Sequence, residues 1–197
     1  MKNKFLAIVC LGLATLVGCG GGGGGSSNQS STPTPLAVGA TSYDNKNNIS
    51  LDLPQLSSVG GNSIAESVTF GDFFQDGTYS AFVAVAQSGA FAKAYFFKKN
   101  ANGAWDDATA SLLTSTDVCA TVTQAITADL NGDGKPDVYV ACGGGSASKQ
   151  VVFMSQRSAS TYVRLETNFT LQSWGAAAGD IDGDGDVDVV ATDSGGT

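Results

Sequence analysis

The chain has 197 residues, contains no histidine and carries a formal net charge of −8 at pH 7. The lack of histidine removes the commonest general base, the serine and cysteine triads that depend on it, and most zinc sites. The acidic balance argues against a nucleic-acid partner, because such binding requires lysine and arginine to neutralise phosphates.

The N-terminal segment has the layout of a secretory signal. Lys2 and Lys4 precede a mostly apolar run over residues 5–17, as a basic n-region precedes an h-region. No other segment is as long and as apolar as the roughly 20 residues that a membrane-spanning helix needs. Residues 1–18 are therefore predicted to be a signal peptide that is removed on export.

The end of this signal is similar to a bacterial lipobox. Leu16, Val17 and Gly18 stand directly before Cys19, the residue that carries lipid in such proteins. Several acyl chains on one cysteine give stable membrane attachment, whereas one chain alone is marginal. The alternative is an ordinary signal with a chance cysteine. By resemblance to Gram-negative lipoproteins, Gly20 in place of aspartate implies the outer membrane, without fixing which face.

Residues 19–37 contain six consecutive glycines followed by SSNQSSTPTP. This composition has no apolar periodicity and is typical of a flexible tether. We therefore expect the lipidated cysteine to be joined to the folded part, residues 38–197, by an unstructured linker.

The remaining sequence indicates an all-β fold. Short apolar runs rich in β-branched and aromatic residues alternate with clusters of Gly, Asn, Asp and Ser, a pattern typical of strands and turns. These runs cover residues 80–86, 92–97, 138–142, 151–154, 161–165 and 187–191. No segment shows a sustained helical period. Trp105 and Trp174 fall where a sheet packed on both faces would bury an aromatic side chain.

Three similar loop sequences divide this region into repeats. They are GDFFQDGTYS at 71–80, ADLNGDGKPD at 128–137 and GDIDGDGDVD at 179–188. The loops recur about every 55 residues, which is enough for about four short strands, the size of one propeller blade. The sequence thus predicts a partial β-propeller of four-stranded antiparallel blades, with repeats at about 62–115, 118–170 and an incomplete 171–197, or roughly two and a half blades.

The second and third loops have the side chains of calcium sites. Oxygen ligands at positions one, three, five and nine suit a hard cation, with a main-chain carbonyl at position seven and glycines for the sharp turn. The residues in the second loop are Asp129, Asn131, Asp133, Lys135 (carbonyl) and Asp137; in the third they are Asp180, Asp182, Asp184, Asp186 (carbonyl) and Asp188. The third loop carries more negative charge, so we expect it to bind more tightly.

The alternatives to a calcium loop between strands are an EF-hand and an Asp/Gly turn that binds nothing. An EF-hand requires a glutamate at position twelve and flanking helices, whereas Val140 and Ala191 stand there and apolar strands follow. An Asp/Gly turn that binds nothing is less favoured, because two loops match at every ligand position. The first loop has Phe74 at position three and Ser80 at position nine. It is predicted to hold no metal, with Phe74 packing inward.

With these loops, the sequence resembles the FG-GAP and VCBS repeat family of β-propellers. The resemblance covers residues 68–197 and includes AYFFKKNANGAWDDATASLL at 94–113. It implies the same ligands in the second and third loops, and hence two Ca²⁺ ions. Because propellers close with 4 to 8 blades, we expect this sequence to be a fragment of a longer protein.

Together with the predicted lipid on Cys19, the resemblance implies a membrane-anchored, calcium-binding module for adhesion or binding, with an unknown protein or glycan ligand. Carboxylate pairs can hydrolyse glycosides, but most aspartates here belong to the loops, so the chain is predicted not to be an enzyme. The alternative is an accessory propeller of a secreted hydrolase or lyase whose catalytic domain lies beyond residue 197. The coding DNA past codon 197 would distinguish the two.

Cys119 and Cys142 are the cysteines that remain after Cys10 and the lipidated Cys19 are set aside. In an oxidising compartment a disulfide between them is the first expectation. A simple hairpin register would instead place Cys142 opposite a position near Gln124, several residues from Cys119, and bridging needs Cα atoms within about 7 Å. A disulfide and two free buried thiols both remain open at this point.

Overall fold

A computed structural model of the chain describes residues 64–87 and 90–195. The predicted signal peptide, Cys19, the linker and the start of the repeat region up to residue 63 lie outside the described residues. Within these ranges no helix is long and apolar enough to cross a membrane.

The described part of the chain is all-β, as the sequence predicted, and its first two sheets have four strands each. Each is a meander in which consecutive strands pair antiparallel. The first sheet contains β1 (Ile64–Gly71), β2 (Ser80–Ala86), β3 (Lys93–Lys99) and β4 (Trp105–Asp107), followed by a 3₁₀ turn at Thr109–Ser111. The second contains β5 (Val122–Ala128), β6 (Asp137–Cys142), β7 (Ser148–Gln156) and β8 (Ala159–Leu171).

A third sheet begins with β9 (Ala176–Gly179) and β10 (Asp188–Ala191), which also pair antiparallel. Sheets of four antiparallel strands in chain order are the architecture of propeller blades. The fold is therefore consistent with a partial β-propeller.

The sheets pack face to face through their central strands. Val138 and Val140 of β6 join the core shared with the first sheet, whereas Tyr139 and Ala141 pack with Val189 of the third. Successive side chains of a strand point to opposite faces. A strand between two sheets therefore buries every residue, which explains why VYVAC of β6 is apolar throughout rather than alternating. In β2, Phe82 and Ala84 face the second sheet, whereas Ala81, Val83 and Val85 pack with Phe97 of the same sheet.

An aromatic seam joins the first sheet to the second. It consists of Phe73, Phe82, Phe96, Phe153 and Tyr162, all buried. Ring centroids are 5.0 Å apart for Phe73 and Phe96, 5.2 Å for Phe82 and Phe96, 5.5 Å for Phe82 and Phe153, and 5.3 Å for Phe96 and Tyr162. Phe96 thus touches three of the other four rings.

The first strands of consecutive sheets lie side by side and are linked by polar side chains. Ala125 N donates to Ser67 Oγ at 2.7 Å, Val122 N donates to Glu66 Oε2 at 3.1 Å, and Thr69 Oγ1 lies 2.8 Å from Thr127 Oγ1. Ala176 N donates to Gln124 Oε1 at 2.7 Å in the same way between β5 and β9. These bonds explain why β1 and β5 are more polar than the central strands.

Cys119 and Cys142 form a disulfide, with an S–S distance of 2.07 Å and Cα atoms 6.2 Å apart. The register predicted from a simple hairpin was wrong. A bulge between Val122 and Gln124 places Gln124 opposite Ala141 and brings Cys142 opposite Val122. Cys142 therefore lies closer along the partner strand to Cys119 than an unbulged register allows.

Reduction of this disulfide should lower the free energy of unfolding by about 3 kcal/mol, the chain-entropy value for a loop of this length. Urea unfolding with and without a reductant measures it. The Cys119→Ala/Cys142→Ala variant is the control, since its unfolding midpoint should not respond to reductant. An equal midpoint for the oxidised and reduced wild-type protein would contradict the expectation.

The two tryptophans differ in burial. Trp105 is half-buried and packs on the cluster of Ala81, Val83, Val85 and Phe97. Trp174 is 60% exposed, so the expectation of a buried aromatic was wrong there. It lies in the segment between the second and third sheets rather than in a strand, and its indole Nε1 donates to Ser194 Oγ at 2.8 Å.

Candidate metal centre and loop face

The three Asp/Gly loops occupy equivalent places in the three sheets. Each connects the first strand of a sheet to the second, and its ninth residue begins that second strand. We name them loop 1 (residues 72–80), loop 2 (129–137) and loop 3 (180–188), and the edge of the sheets where they lie the loop face. Strands on both sides exclude the EF-hand arrangement, which needs helices.

The backbone of each loop turns around the carboxylate of its first residue. The sixth residue donates its backbone N–H to that carboxylate: Gly77 to Asp72 (2.9 Å), Gly134 to Asp129 (2.8 Å) and Gly185 to Asp180 (3.1 Å). These glycines have φ angles of 80°, 82° and 92°, in the left-handed region that glycine adopts at no steric cost. All three loops therefore share this turn at the sixth residue.

The ninth residue closes each loop, a role that sequence reasoning missed because it treated this position only as a metal ligand. Its side chain accepts the backbone N–H of the second residue: Phe73 to Ser80 Oγ (3.2 Å), Leu130 to Asp137 Oδ2 (2.7 Å) and Ile181 to Asp188 Oδ2 (3.0 Å). Serine in loop 1 shows that this closing bond needs an oxygen and not a charge.

Loop 2 contains an oxygen that lacks a protein partner. Asp133 Oδ1 accepts bonds from Lys135 N at 3.0 Å and Ser155 Oγ at 3.1 Å. Asp133 Oδ2 is buried and, among the described residues, is the one buried side-chain oxygen without a hydrogen-bond partner. A buried carboxylate oxygen left unpaired is costly. Loop 2 therefore has the donor chemistry that fits a cation.

The β7–β8 hairpin holds loop 2 from the side. Lys135 Nζ donates to the carbonyls of Gln156 at 2.8 Å and Ala159 at 3.1 Å. Asn131 Nδ2 donates to Ser155 O at 3.1 Å. The ammonium of Lys135 thus contacts the hairpin, while sequence analysis had assigned only its main-chain carbonyl to the site.

Loop 3 brings three of its predicted ligands together. One carboxylate oxygen from each of Asp180, Asp182 and Asp188 lies within 4.8 Å of the other two. Asp184 is not in this group, and its Oδ1 accepts Asp186 N at 3.0 Å. Asp180 and Asp182 are exposed and Asp188 is half-buried. Within the described part of the chain, no lysine or arginine is a hydrogen-bond partner of these three carboxylates. Convergent carboxylates of this kind have the chemistry of a hard-cation site.

Loop 1 does not have a donor set for calcium. Phe74 occupies position three, is half-buried and packs against the core that contains the aromatic seam, as predicted. The carboxylate at position five, Asp76, forms an ion pair with Lys98 of β3. A hydrogen bond from Lys98 is the main reason why the pKa of Asp76 is lowered from 3.8 to about 2.

The sign of the resulting pH dependence follows from the lowered pKa of Asp76. A carboxyl whose pKa is depressed in the folded state contributes stability that is present above its unfolded pKa. The contribution of the pair is therefore fully present at neutral pH, and it is lost as the pH falls from about 4 through about 2.

Comparison with known families agrees with this geometry. The family model of the FG-GAP-like repeat matches residues 81–140 and 129–191, together more than half of the chain. The chain belongs to the FG-GAP-like repeat family. A search of curated proteins finds no match to it. The first match ends in β6, just after loop 2, and the second ends in β10, just after loop 3. Each FG-GAP-like repeat therefore contains the central strands of one blade and the Asp/Gly loop of the next.

Asp137 is the most deeply placed carboxylate of these FG-GAP-like repeats, with no exposed surface. Burial is the main reason why its pKa is raised, against hydrogen bonds from the backbone of Ser155 and Leu130 that lower it. A divalent cation at the loop would favour the charged form of such a group.

The loop face of the FG-GAP-like repeats also contains a cavity of about 490 Å³ between the first two blades. It lies between loop 1 and the β7–β8 hairpin. Its walls combine aromatic side chains with hydroxyl, amide and basic groups, among them Phe74, Gln75, Ser111, Lys135, Arg157 and Tyr162. Its size falls in the range of about 300–1,000 Å³ that is usual for small-ligand sites.

Proposed function

We propose that this FG-GAP-like repeat protein is a calcium-binding, non-catalytic module for binding or adhesion, anchored to the bacterial outer membrane. The observation that carries the calcium part is the buried, unpartnered Asp133 Oδ2, in a loop whose other predicted side-chain ligand oxygens accept hydrogen bonds. The convergent carboxylates of loop 3 support a second ion.

Each proposed ion would be held by side chains of its own loop. In loop 2 these are Asp129, Asn131, Asp133 and Asp137 with the carbonyl of Lys135; in loop 3 they are Asp180, Asp182, Asp184 and Asp188 with the carbonyl of Asp186. Calcium would supply positive charge to carboxylates that otherwise repel one another. The role of the ions is structural, since they rigidify the loop face.

The cavity on the loop face is the proposed site for a protein or glycan ligand. It mixes apolar walls with a few polar groups that can fix orientation, which is the usual make-up of a binding pocket. Nucleic acid is not a proposed partner, because the net charge is −8 and phosphate binding needs excess positive charge.

Membrane attachment is proposed through lipid on Cys19, which follows the lipobox-like Leu16–Gly18. Metabolic labelling with radioactive palmitate in a Gram-negative host tests it. The wild-type chain should incorporate label and fractionate with outer membranes, and the Cys19→Ser variant should do neither. Label on the Cys19→Ser variant, or an unlabelled wild type, would refute the anchor.

Calcium binding is tested by isothermal titration calorimetry of the full chain in detergent. We expect two ions with dissociation constants of about 0.1 to 1 mM, the range of extracellular modules. At about 1 mM calcium, such sites add roughly 0.4 to 1.4 kcal/mol each to the free energy of unfolding. A chelator should therefore lower the unfolding midpoint.

Matched variants assign the sites. Asp133→Asn in loop 2 and Asp182→Asn in loop 3 should each reduce the stoichiometry from two ions to one, and Asp106→Asn on β4, outside the loops, should leave both ions. The variant that retains loop 3 should show the tighter remaining site, because loop 3 has more carboxylates. A wild-type midpoint that is insensitive to chelator would count against both sites.

A further inference from the structure

We infer that Lys98 is the built-in cation of loop 1, so that this loop keeps its fold without calcium whereas loops 2 and 3 require the ion. The requirement of loops 2 and 3 for calcium rests on the proposed function. The experiments below test that requirement separately from the role of Lys98. Loop 1 would then be a site that takes an ammonium group from its own chain in place of a metal.

The position of Lys98 is the first argument. It lies on β3, the strand beyond β2 in the same sheet, and its ammonium reaches across to the carboxylate of Asp76. The same Nζ lies 5.1 Å from the centroid of the Phe74 ring. Cations are attracted to aromatic faces as well as to carboxylates. One ammonium therefore contacts both the third and the fifth positions of loop 1.

Strand register supplies the second argument. Ala81 pairs with Phe97 in the first sheet, and the equivalent Val138 pairs with Phe153 in the second. The residue after each partner is therefore equivalent, namely Lys98 in the first sheet and Met154 in the second. The loop without a full donor set has a cation at this place, and the loop with a full donor set has an uncharged methionine.

Retention of the loop conformation supplies the third argument. Gln75 has a φ of 54°, the one positive φ of a non-glycine residue in the described ranges, at the place where loops 2 and 3 have glycine. Its side-chain amide donates to Asp72 O at 2.8 Å. A strained backbone persists only where its surroundings over-determine it. Loop 1 therefore needs a stabilising partner, and the Lys98 ammonium is the charged group in contact with it.

Backbone amides report on each loop separately. The N–H groups of Gly77, Gly134 and Gly185 each donate to the first aspartate of their own loop. On changing from calcium to chelator, NMR hydrogen exchange should show lower protection at Gly134 and Gly185 and no change at Gly77. Equal sensitivity of Gly77 would show a metal in loop 1 and would overturn the inference.

Removal of the ammonium is the direct test. Lys98→Met, which copies the second sheet, should lower the protection of Gly77 by about two- to five-fold, the effect of one surface ion pair, with or without calcium. Lys149→Met, which breaks the exposed pair with Glu166, is the control and should leave Gly77 unchanged. If Lys98→Met does not fold, Asp76→Asn removes the same pair from the other side. Unchanged protection of Gly77 in these variants would overturn the inference.

A gain of function completes the test. The Phe74→Asn/Ser80→Asp/Lys98→Met variant gives loop 1 the donor set of loop 2, and calorimetry should then count one more calcium ion than in the wild type. No added ion would refute the idea that Lys98 takes the place of a metal. The hydrogen-exchange protection of Gly134 and Gly185 could be the same in calcium and in chelator while Lys98→Met still lowers the protection of Gly77. The proposed calcium function would then fail and the role of Lys98 would stand.

Discussion

Replacement of Phe96 by alanine should lower the free energy of unfolding by about 4 kcal/mol, within the range for removal of a buried phenylalanine. Phe96 has no exposed surface, and its ring contacts Phe73, Phe82 and Tyr162. These partners come from two different sheets, so the cavity would open at the joint between blades. Rigid β-sheets on both sides cannot collapse to fill it.

Urea unfolding followed by tryptophan fluorescence measures this loss. Phe91→Ala is the matched control, because that phenylalanine is 54% exposed and its removal should cost less than about 1 kcal/mol. If Phe96→Ala and Phe91→Ala had the same effect, the aromatic seam would not be what joins the first two blades.

Replacement of Asp137 by alanine should also cost about 4 kcal/mol in the presence of a chelator, and in calcium it should cost the contribution of the loop 2 ion in addition. Asp137 Oδ1 accepts Ser155 N at 2.6 Å and Oδ2 accepts Leu130 N at 2.7 Å. Alanine would leave two backbone N–H groups without partners, at about 2 kcal/mol each. The bonds connect loop 2 to β7, so both elements would loosen together.

Asp137→Ser is the informative comparison, because Ser80 closes loop 1 with a hydroxyl. We expect this variant to keep the bond to Leu130, to lose the bond to Ser155 and to fall between alanine and the wild type. Urea unfolding in calcium and in chelator provides the measurement. If the effect of Asp137→Ala vanished in chelator, Asp137 would be a metal ligand alone and not the residue that closes the loop.

The all-β class, the repeats and the position of the three loops were predictable from the sequence. Strand patterns and turn residues act over short distances along the chain. The similar loop sequences at 129–137 and 180–188 show directly how far apart the repeats lie. The departure of loop 1 from the ligand pattern was visible for the same reason, because Phe74 and Ser80 lack carboxylates.

Tertiary structure alone decided how distant residues meet. The bulge between Val122 and Gln124 places Cys142 opposite Val122, three residues from its disulfide partner Cys119. The cross-strand reach of Lys98 to Asp76 supplies loop 1 with a cation. Trp174 is exposed because it lies between sheets rather than in one. Each of these depends on register or on chain direction between elements. A sequence pattern fixes which face of a strand is apolar, but a one-residue shift in pairing changes which side chains meet.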